Sequence, residues 1–351
     1  AKNAPPLPPT WSSAAKQPGM KLIGAGLGLW GMRTLPVVGR VSERTLLWET
    51  LRTVHDLGQA RAIMLEGLSG MGKTKLMDWL LTRAHEVGAA HILRATHGPM
   101  GGPLDGLGPM LGRHLRCQGL ERQEIFSRIL EHIEAIGFET TDAVRDAAAL
   151  TELISPRRIM SDDTGPAHRF SSTMERYGKV ASYLARLCEE RTVILCLDDV
   201  QWSFEALGFV RYILTQETHN LPILILITAR AEAVAKLPHI VHAFEQLEKL
   251  EDFSRHEIGP LSEAHQRELL ENLLSLRPDV ADTVLEITGG TPLFAVQLVD
   301  DWVVRGKLRV TDDGFAIDQA REQGLPNDLS DLIDQRLAYL LGEFPEGTLP
   351  A

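Results

Sequence analysis

The chain has 351 residues, 36 basic and 47 acidic, for a formal net charge of −11; 44% are hydrophobic and 24% charged. This balance excludes wholesale disorder and speaks against a protein whose main task is to coat nucleic acid. No apolar run reaches the roughly 18 residues that mark a membrane span, and the length suits two or three domains of about 100–200 residues each. The cysteines, Cys117, Cys188 and Cys196, are odd in number and have no metal-ligand spacing. They read as buried, reduced thiols of a cytoplasmic protein.

The start at Ala1 and the Gly/Pro-containing end, Gly342 to Ala351, point to a segment of a longer polypeptide with no signal peptide ahead of it. Residues 1–34 read as linker, with an extended proline cluster at Pro5, Pro6, Pro8 and Pro9. Gly26-x-Gly28-x-x-Gly31 spells a dinucleotide fingerprint but lacks the strand before and the helix after that the fingerprint needs. Leu47, Leu51 and Val54 form a helix stripe that stops at Gly58. Ala62 to Glu66 reads as a strand, Leu76 to Val87 as a helix, and His91 to Thr96 as a second strand, which opens a parallel α/β sheet. A Gly/Pro-rich excursion, Gly98 to Pro109, precedes helices near 119–136 and 141–154 and an irregular stretch, Ser155 to His168. A helix over 172–190 leads into Val193 to Leu197, a continuous apolar strand of the kind found where both sheet faces are covered. Ser203 caps the next helix, Ile223 to Thr228 is a further buried strand, and Glu257 to Gly259 reads as the last one. After Pro260 the pattern is helical, with a hairpin at Leu308–Val310 and Phe315–Ile317 and a last helix over 328–341.

Gly67-Leu-Ser69-Gly70-Met71-Gly72-Lys73-Thr74 fits G-x-x-x-x-G-K-[ST] at every fixed position, between a strand and a helix. Glycines let successive N–H groups converge on phosphate oxygens, and the helix N-terminus adds its dipole. Lys73 is placed to reach the β- and γ-phosphates, and the Thr74 hydroxyl is a hard ligand for Mg²⁺. The strand ending Asp198-Asp199 supplies a carboxylate for the magnesium shell at Asp198 and a base for the attacking water at Asp199. Arg230, at the tip of the neighbouring strand, could touch a γ-phosphate, but on residues alone it reads better as a surface arginine. Thr291-Pro292 is ordinary helix-start chemistry.

Val38-Gly39-Arg40, the phosphate loop, Asp198-Asp199-Val-Gln-Trp202, Thr228-Ala-Arg230 and Gly290-Thr-Pro292-Leu-Phe294, in this order, resemble a STAND ATPase. That family is the signal-transduction branch of the AAA+ ATPases, and the bacterial modules fused to Ser/Thr kinases, adenylate cyclases or LuxR-type regulators match best in pattern. The resemblance spans about residues 35–341. It implies adenine contacts from Val38 and Pro292, Arg40 close to the nucleotide, Arg230 as the sensor arginine, and slow turnover from an aspartate at 199. Gln201 departs from the histidine often found there, and the winged-helix and repeat sensor domains that usually follow are not in this sequence.

The expected architecture is an α/β P-loop NTPase of the AAA+ type: a parallel sheet flanked by helices over 35–260, a small helical lid over 261–341, and a tail over 342–351. The expected activity is that of a regulatory switch that binds ATP or ADP with Mg²⁺ and hydrolyses ATP slowly. Its expected partners are effector and sensor domains of the same longer chain and further copies of itself. A nucleotide-gated scaffold without turnover is the alternative. A DNA-associated AAA+ loader ranks third, against the acidic charge and the lack of a basic C-terminal helix. Arg157 and Arg158 read as solvated loop residues before arginine fingers.

Overall fold

The computed structural model describes residues 6–11, 35–102, 105–137, 140–157, 168–216, 220–311, 313–317, 326 and 328–342. The Gly24–Gly31 segment, Arg158 and most of Ser155–His168 lie outside the described residues. The chain divides into two units: Ala1–Ser13, Ser42–Ser69 and Lys73–Glu257 in the first, and Ala14–Val41, Gly70–Gly72 and Ile258–Ala351 in the second. Residues 35–41, which the sequence reading places with the sheet, therefore group with the helical unit.

The first unit opens on α1 (Val41–Leu57), β1 (Arg61–Gly67), α2 (Lys73–Glu86) and β2 (Ala90–Thr96). Four helices follow: α3 (Leu107–His114), α4 (Arg122–Ala135), α5 (Thr140–Ile154) and α6 (Thr173–Glu190). Then come β3 (Thr192–Asp198), α7 (Phe204–Thr215), β4 (Ile223–Arg230), α8 (Ala231–Val234), α9 (Pro238–Leu247) and β5 (Phe253–Glu257). The five strands form one parallel sheet in the order β2-β3-β4-β1-β5. The inner strands are buried nearly end to end, which is why they read as unbroken apolar runs.

The last strand is β5, upstream of the expected Glu257–Gly259. It is an edge strand in which only Phe253 is buried, so its Ser, Arg, His and Glu residues conceal it from a search for apolar runs. Two helices go unread in the sequence for comparable reasons. In α3, Gly108 and Pro109 look like breakers. Pro109 falls within the first turn, where its missing N–H is one of the helix's orphans anyway. A Cβ at Gly108 would lie 2.0 Å from the Leu153 carbonyl oxygen, so glycine permits the close approach of α3 to α5. In α9, Pro238 occupies the first turn and Ile240, Phe244 and Leu247 make the buried stripe.

Part of the N-terminal segment, read as a linker, is tied to α1. The Trp48 indole donates to Pro8 O (3.0 Å), Trp11 Nε1 donates to Thr45 Oγ1 (3.1 Å), and the Arg44 guanidinium lies 3.7 Å from the Trp11 ring centre.

Between α3, α4 and α6, His132 Nε2 meets Tyr183 Oη at 3.0 Å, and His114 packs edge-on against both rings. Burial, joined by the neighbouring His132 and His91, pushes the His114 pKa down to about 4. The unfolded chain therefore takes up a proton here between about pH 6.5 and 4 that the native chain refuses, so this group's contribution makes stability fall as pH falls through that window. The loss for His114 alone is at most about 3 kcal/mol. Urea unfolding at pH 7.5 and pH 5 is expected to show this slope, and His114→Gln is expected to flatten it.

The second unit holds α10 (Glu263–Leu273), α11 (Pro278–Thr288), α12 (Pro292–Val304), the hairpin β6 (Leu308–Thr311) and β7 (Gly314–Ile317), and α13 (Leu329–Gly342). Leu270, Leu273, Val284, Leu298 and Trp302 fill its core, and Val38 is buried in the same cluster. Thr291 stands at the N-cap of α12 without a side-chain capping bond, so Pro292 at the first helical position is what pre-sets the turn. Among the described residues no helix is long and apolar enough to cross a membrane.

Candidate functional site

The sheet register decides which side chains meet. Gly67 pairs with Arg230 across β1 and β4, and Thr96 pairs with Asp198 across β2 and β3. The carboxyl ends of four strands thus stand in a row, the place where open α/β sheets bind ligands. The phosphate loop leaves β1 there, and α2 begins at its end. Gly70 and Gly72 take φ of +82° and +92°, a region costly for a residue with Cβ, and a Cβ at Gly72 would meet nothing within 4 Å. The loop is unobstructed at Gly72, whereas a Cβ at Gly70 would meet Leu293 Cβ at 3.0 Å and Thr291 Cγ2 at 3.2 Å.

Lys73 is buried, and its Nζ donates to Gly67 O and Leu68 O at 2.8 Å each, closing the loop on itself. Burial lowers its pKa, opposed chiefly by the charges of Glu232 and Asp199. Thr74 Oγ1 donates to Asp198 Oδ1 at 3.0 Å. The same oxygen accepts from Thr228 Oγ1 (2.5 Å), and Asp198 Oδ2 accepts from Arg94 Nη2 (2.7 Å). Arg94 also holds Asp78 at 2.7 Å. Burial works against the Arg94 charge, but the hydrogen bond to Asp198 and the two carboxylates outweigh it and raise its pKa.

Asp199 sits in the left-handed region (φ 56°), uncommon for a residue with Cβ, and its carboxylate has partners of its own. Its N–H donates to Thr228 Oγ1 at 2.9 Å, so one hydroxyl fixes both aspartates. Arg230 grips Asp199 bidentately, Nε to Oδ1 at 3.0 Å and Nη2 to Oδ2 at 2.7 Å. The buried Gln201 completes the set: its Nε2 donates to Asp199 Oδ1 (3.2 Å) and its Oε1 accepts from Arg230 N (3.1 Å). Burial acts to raise the Asp199 pKa, but the bonds from Arg230 and Gln201 and the charges of Arg230 and Lys73 hold it below the usual carboxylate range.

Lys73, Thr74, Asp198, Asp199 and Arg230 therefore converge as read from sequence, together with Gly67 and Ser69. The remaining predicted residues group in the second unit. There Arg40, at φ 52°, donates to Gly259 O and to Met71 O (3.4 Å), and Leu293 N donates to Gly70 O at 3.2 Å. A Cβ at Gly39 would lie 2.5 Å from the His265 ring, so glycine is required at that approach. Pro292 begins α12 as expected.

Sequence reasoning passed over Arg94 and Glu232 altogether. Neither belongs to a spaced motif; each reaches the site only through strand order. The donor set suits an anion with a divalent cation: a glycine loop with an internal lysine, and a hydroxyl and a carboxylate, both hard oxygens, 3.0 Å apart. Among the described residues no group of three or more His, Cys, Asp or Glu could hold a metal.

No curated protein sequence matches this chain. The solved structure of CDC6p from Pyrobaculum aerophilum aligns with 78% of it at 15% identity and a TM-score of 0.45; this chain covers 63% of that one, under two thirds of its length. The family profile described as "AAA ATPase domain" matches residues 36–227, more than half of the sequence. With the P-loop sheet and its convergent lysine, threonine and aspartates, this establishes that the chain belongs to the AAA ATPase family of nucleotide-binding modules.

Proposed function

We propose that the chain is an ATP-driven regulatory switch of the STAND type, with slow hydrolysis converting an ATP form into an ADP form. The forms would differ in how they engage effector and sensor domains of a longer chain, or further copies of this one. Lys73 and the loop amides would hold the phosphates, Thr74 and Asp198 the Mg²⁺, and Val38, Arg40 and Pro292 the base. When bound, the cation neutralises charge on the β- and γ-phosphoryl oxygens.

The observation that carries the slow-switch reading is the bidentate Asp199–Arg230 pair. A carboxylate held by two guanidinium hydrogens and an amide is a weak base, since its lone pairs are engaged and its pKa is depressed. The same pair makes Arg230 the natural detector of a γ-phosphate. A new anion competes for the guanidinium, and its arrival or loss redistributes Arg230 between phosphate and Asp199. The pairing also favours a second reading, a nucleotide-gated scaffold that does not turn over.

Two measurements test this. Steady-state phosphate release is expected to be detectable but below about 1 s⁻¹, the low end of ordinary enzyme turnover; none at all with binding intact would leave the scaffold. Arg230→Ala is expected to lower affinity for a non-hydrolysable ATP analogue about tenfold or more and to leave ADP affinity nearly unchanged. Equal losses for both nucleotides in calorimetric titrations would remove Arg230 from the role of γ-phosphate reader and end this account of the switch.

A further inference from the structure

A third carboxylate, Glu232, stands at the loop beside Asp198 and Asp199. Gly67 and Arg230 are register partners, so the residues that follow them leave the sheet side by side. Ser69, two past Gly67, therefore meets Glu232, two past Arg230: Ser69 N donates to Glu232 Oε1 at 3.2 Å. Glu232 Oε2 is buried and has no hydrogen-bond partner among the described residues. A carboxylate oxygen in that condition costs free energy unless cations lie near, and two do. Glu232 is the strongest of the charges that act to raise the Lys73 pKa, and it acts in the same sense on Arg230.

The other acidic groups are fully engaged. Asp198 accepts from Thr74, Thr228 and Arg94, and Asp199 from Arg230 and Gln201. Among the described acidic residues Glu232 rests on a main-chain N–H of the loop whose amides are built for phosphate oxygens. It also lies on the Arg230 side of the loop. The outermost phosphate belongs on that side, since the helix N-terminus serves the inner phosphates and Lys73 the β- and γ-groups.

On the nucleotide site proposed above, we infer that Glu232 is an internal anion seated where a γ-phosphate must arrive, and that its displacement sets the preference between ATP and ADP. ADP can fill the inner part of the cradle with Glu232 in place. ATP has to move the carboxylate off Ser69 and supply in its place the negative charge that Lys73 and Arg230 feel. The residue is thus a specificity determinant that handicaps the triphosphate until something draws Glu232 away. This suits a switch that rests with ADP, because two anions cannot share one set of donors without strong repulsion.

The test is calorimetric titration of the whole chain with Mg²⁺ and either ADP or a non-hydrolysable ATP analogue, for wild type, Glu232→Gln and Glu232→Ala. Thermal midpoints serve to check that the variants are folded. Both variants are expected to bind the ATP analogue at least about tenfold more tightly than wild type, with ADP affinity changed by less than about threefold. Glu232→Asp, which keeps the charge, is expected to lie nearer wild type. Unchanged or weaker binding of the analogue by folded Gln and Ala variants overturns the inference and leaves the nucleotide site standing. A turnover loss in Glu232→Gln with unaltered affinities would make it a base instead, and so also overturns it. If neither nucleotide binds wild type or any variant, the nucleotide site itself falls and takes the inference with it.

Discussion

Lys73→Ala is expected to lose at least tenfold in ATP affinity, about 1.4 kcal/mol or more. Lys73 is the loop's own cation. Its ammonium donates to Gly67 O and Leu68 O, so it both supplies charge and keeps those carbonyls turned inward. Alanine removes the charge and releases the two carbonyls together, and the loop then has its amides but no fixed counter-charge for the phosphates. Burial of Lys73 strengthens the expectation, because an ion pair with a phosphate is screened less there than at an exposed lysine. Arginine is not a conservative replacement, since a planar fork cannot donate to two adjacent carbonyls in the space an ammonium fills. Anisotropy of a fluorescent ATP analogue reads the effect. Unchanged binding by a folded variant would mean that the nucleotide site is elsewhere.

Asp198→Asn and Asp199→Asn are expected to fail in different ways. Asp199→Asn preserves volume and should preserve ATP binding, but it removes the base and lowers turnover about hundredfold, within the usual range for a general base. It also breaks the bidentate contact with Arg230, so combining it with Arg230→Ala should be non-additive. Asp198→Asn strikes a carboxylate that accepts from Thr74, Thr228 and Arg94. An amide turns one of those acceptors into a donor, and the Arg94 charge loses a partner at a half-buried position. The expected results are a shift of nucleotide binding to higher Mg²⁺ and a loss of stability of about 1–3 kcal/mol. Single-turnover kinetics, a magnesium titration and a thermal melt separate the two. Identical behaviour in all three would show that the aspartates do not divide the work.

The phosphate loop was legible because its chemistry is contiguous. Eight successive residues carry the glycine conformations, the lysine and the hydroxyl, and a strand before with a helix after is read from neighbouring periodicity. The strand ending in Asp198-Asp199 was legible for the same reason, an unbroken apolar run closed by charge. The partners of those residues were not legible. Arg94 and Asp198 are 104 residues apart and Ser69 and Glu232 are 163 apart. The first pair is joined because β2 runs beside β3 with Thr96 in register with Asp198, the second because β4 runs beside β1 with Gly67 in register with Arg230.

The amino-acid order by itself thus determined the fold class, the loop and the pair of aspartates that closes β3. These depend on local backbone geometry and on how apolar residues must be hidden. Tertiary structure decided that Arg230 holds Asp199, that Arg94 holds Asp198, that Glu232 rests on the loop, and that Val38 to Arg40 group with the helical unit. Charge pairing depends on a few ångströms between groups, and only the packing of strands side by side sets that distance.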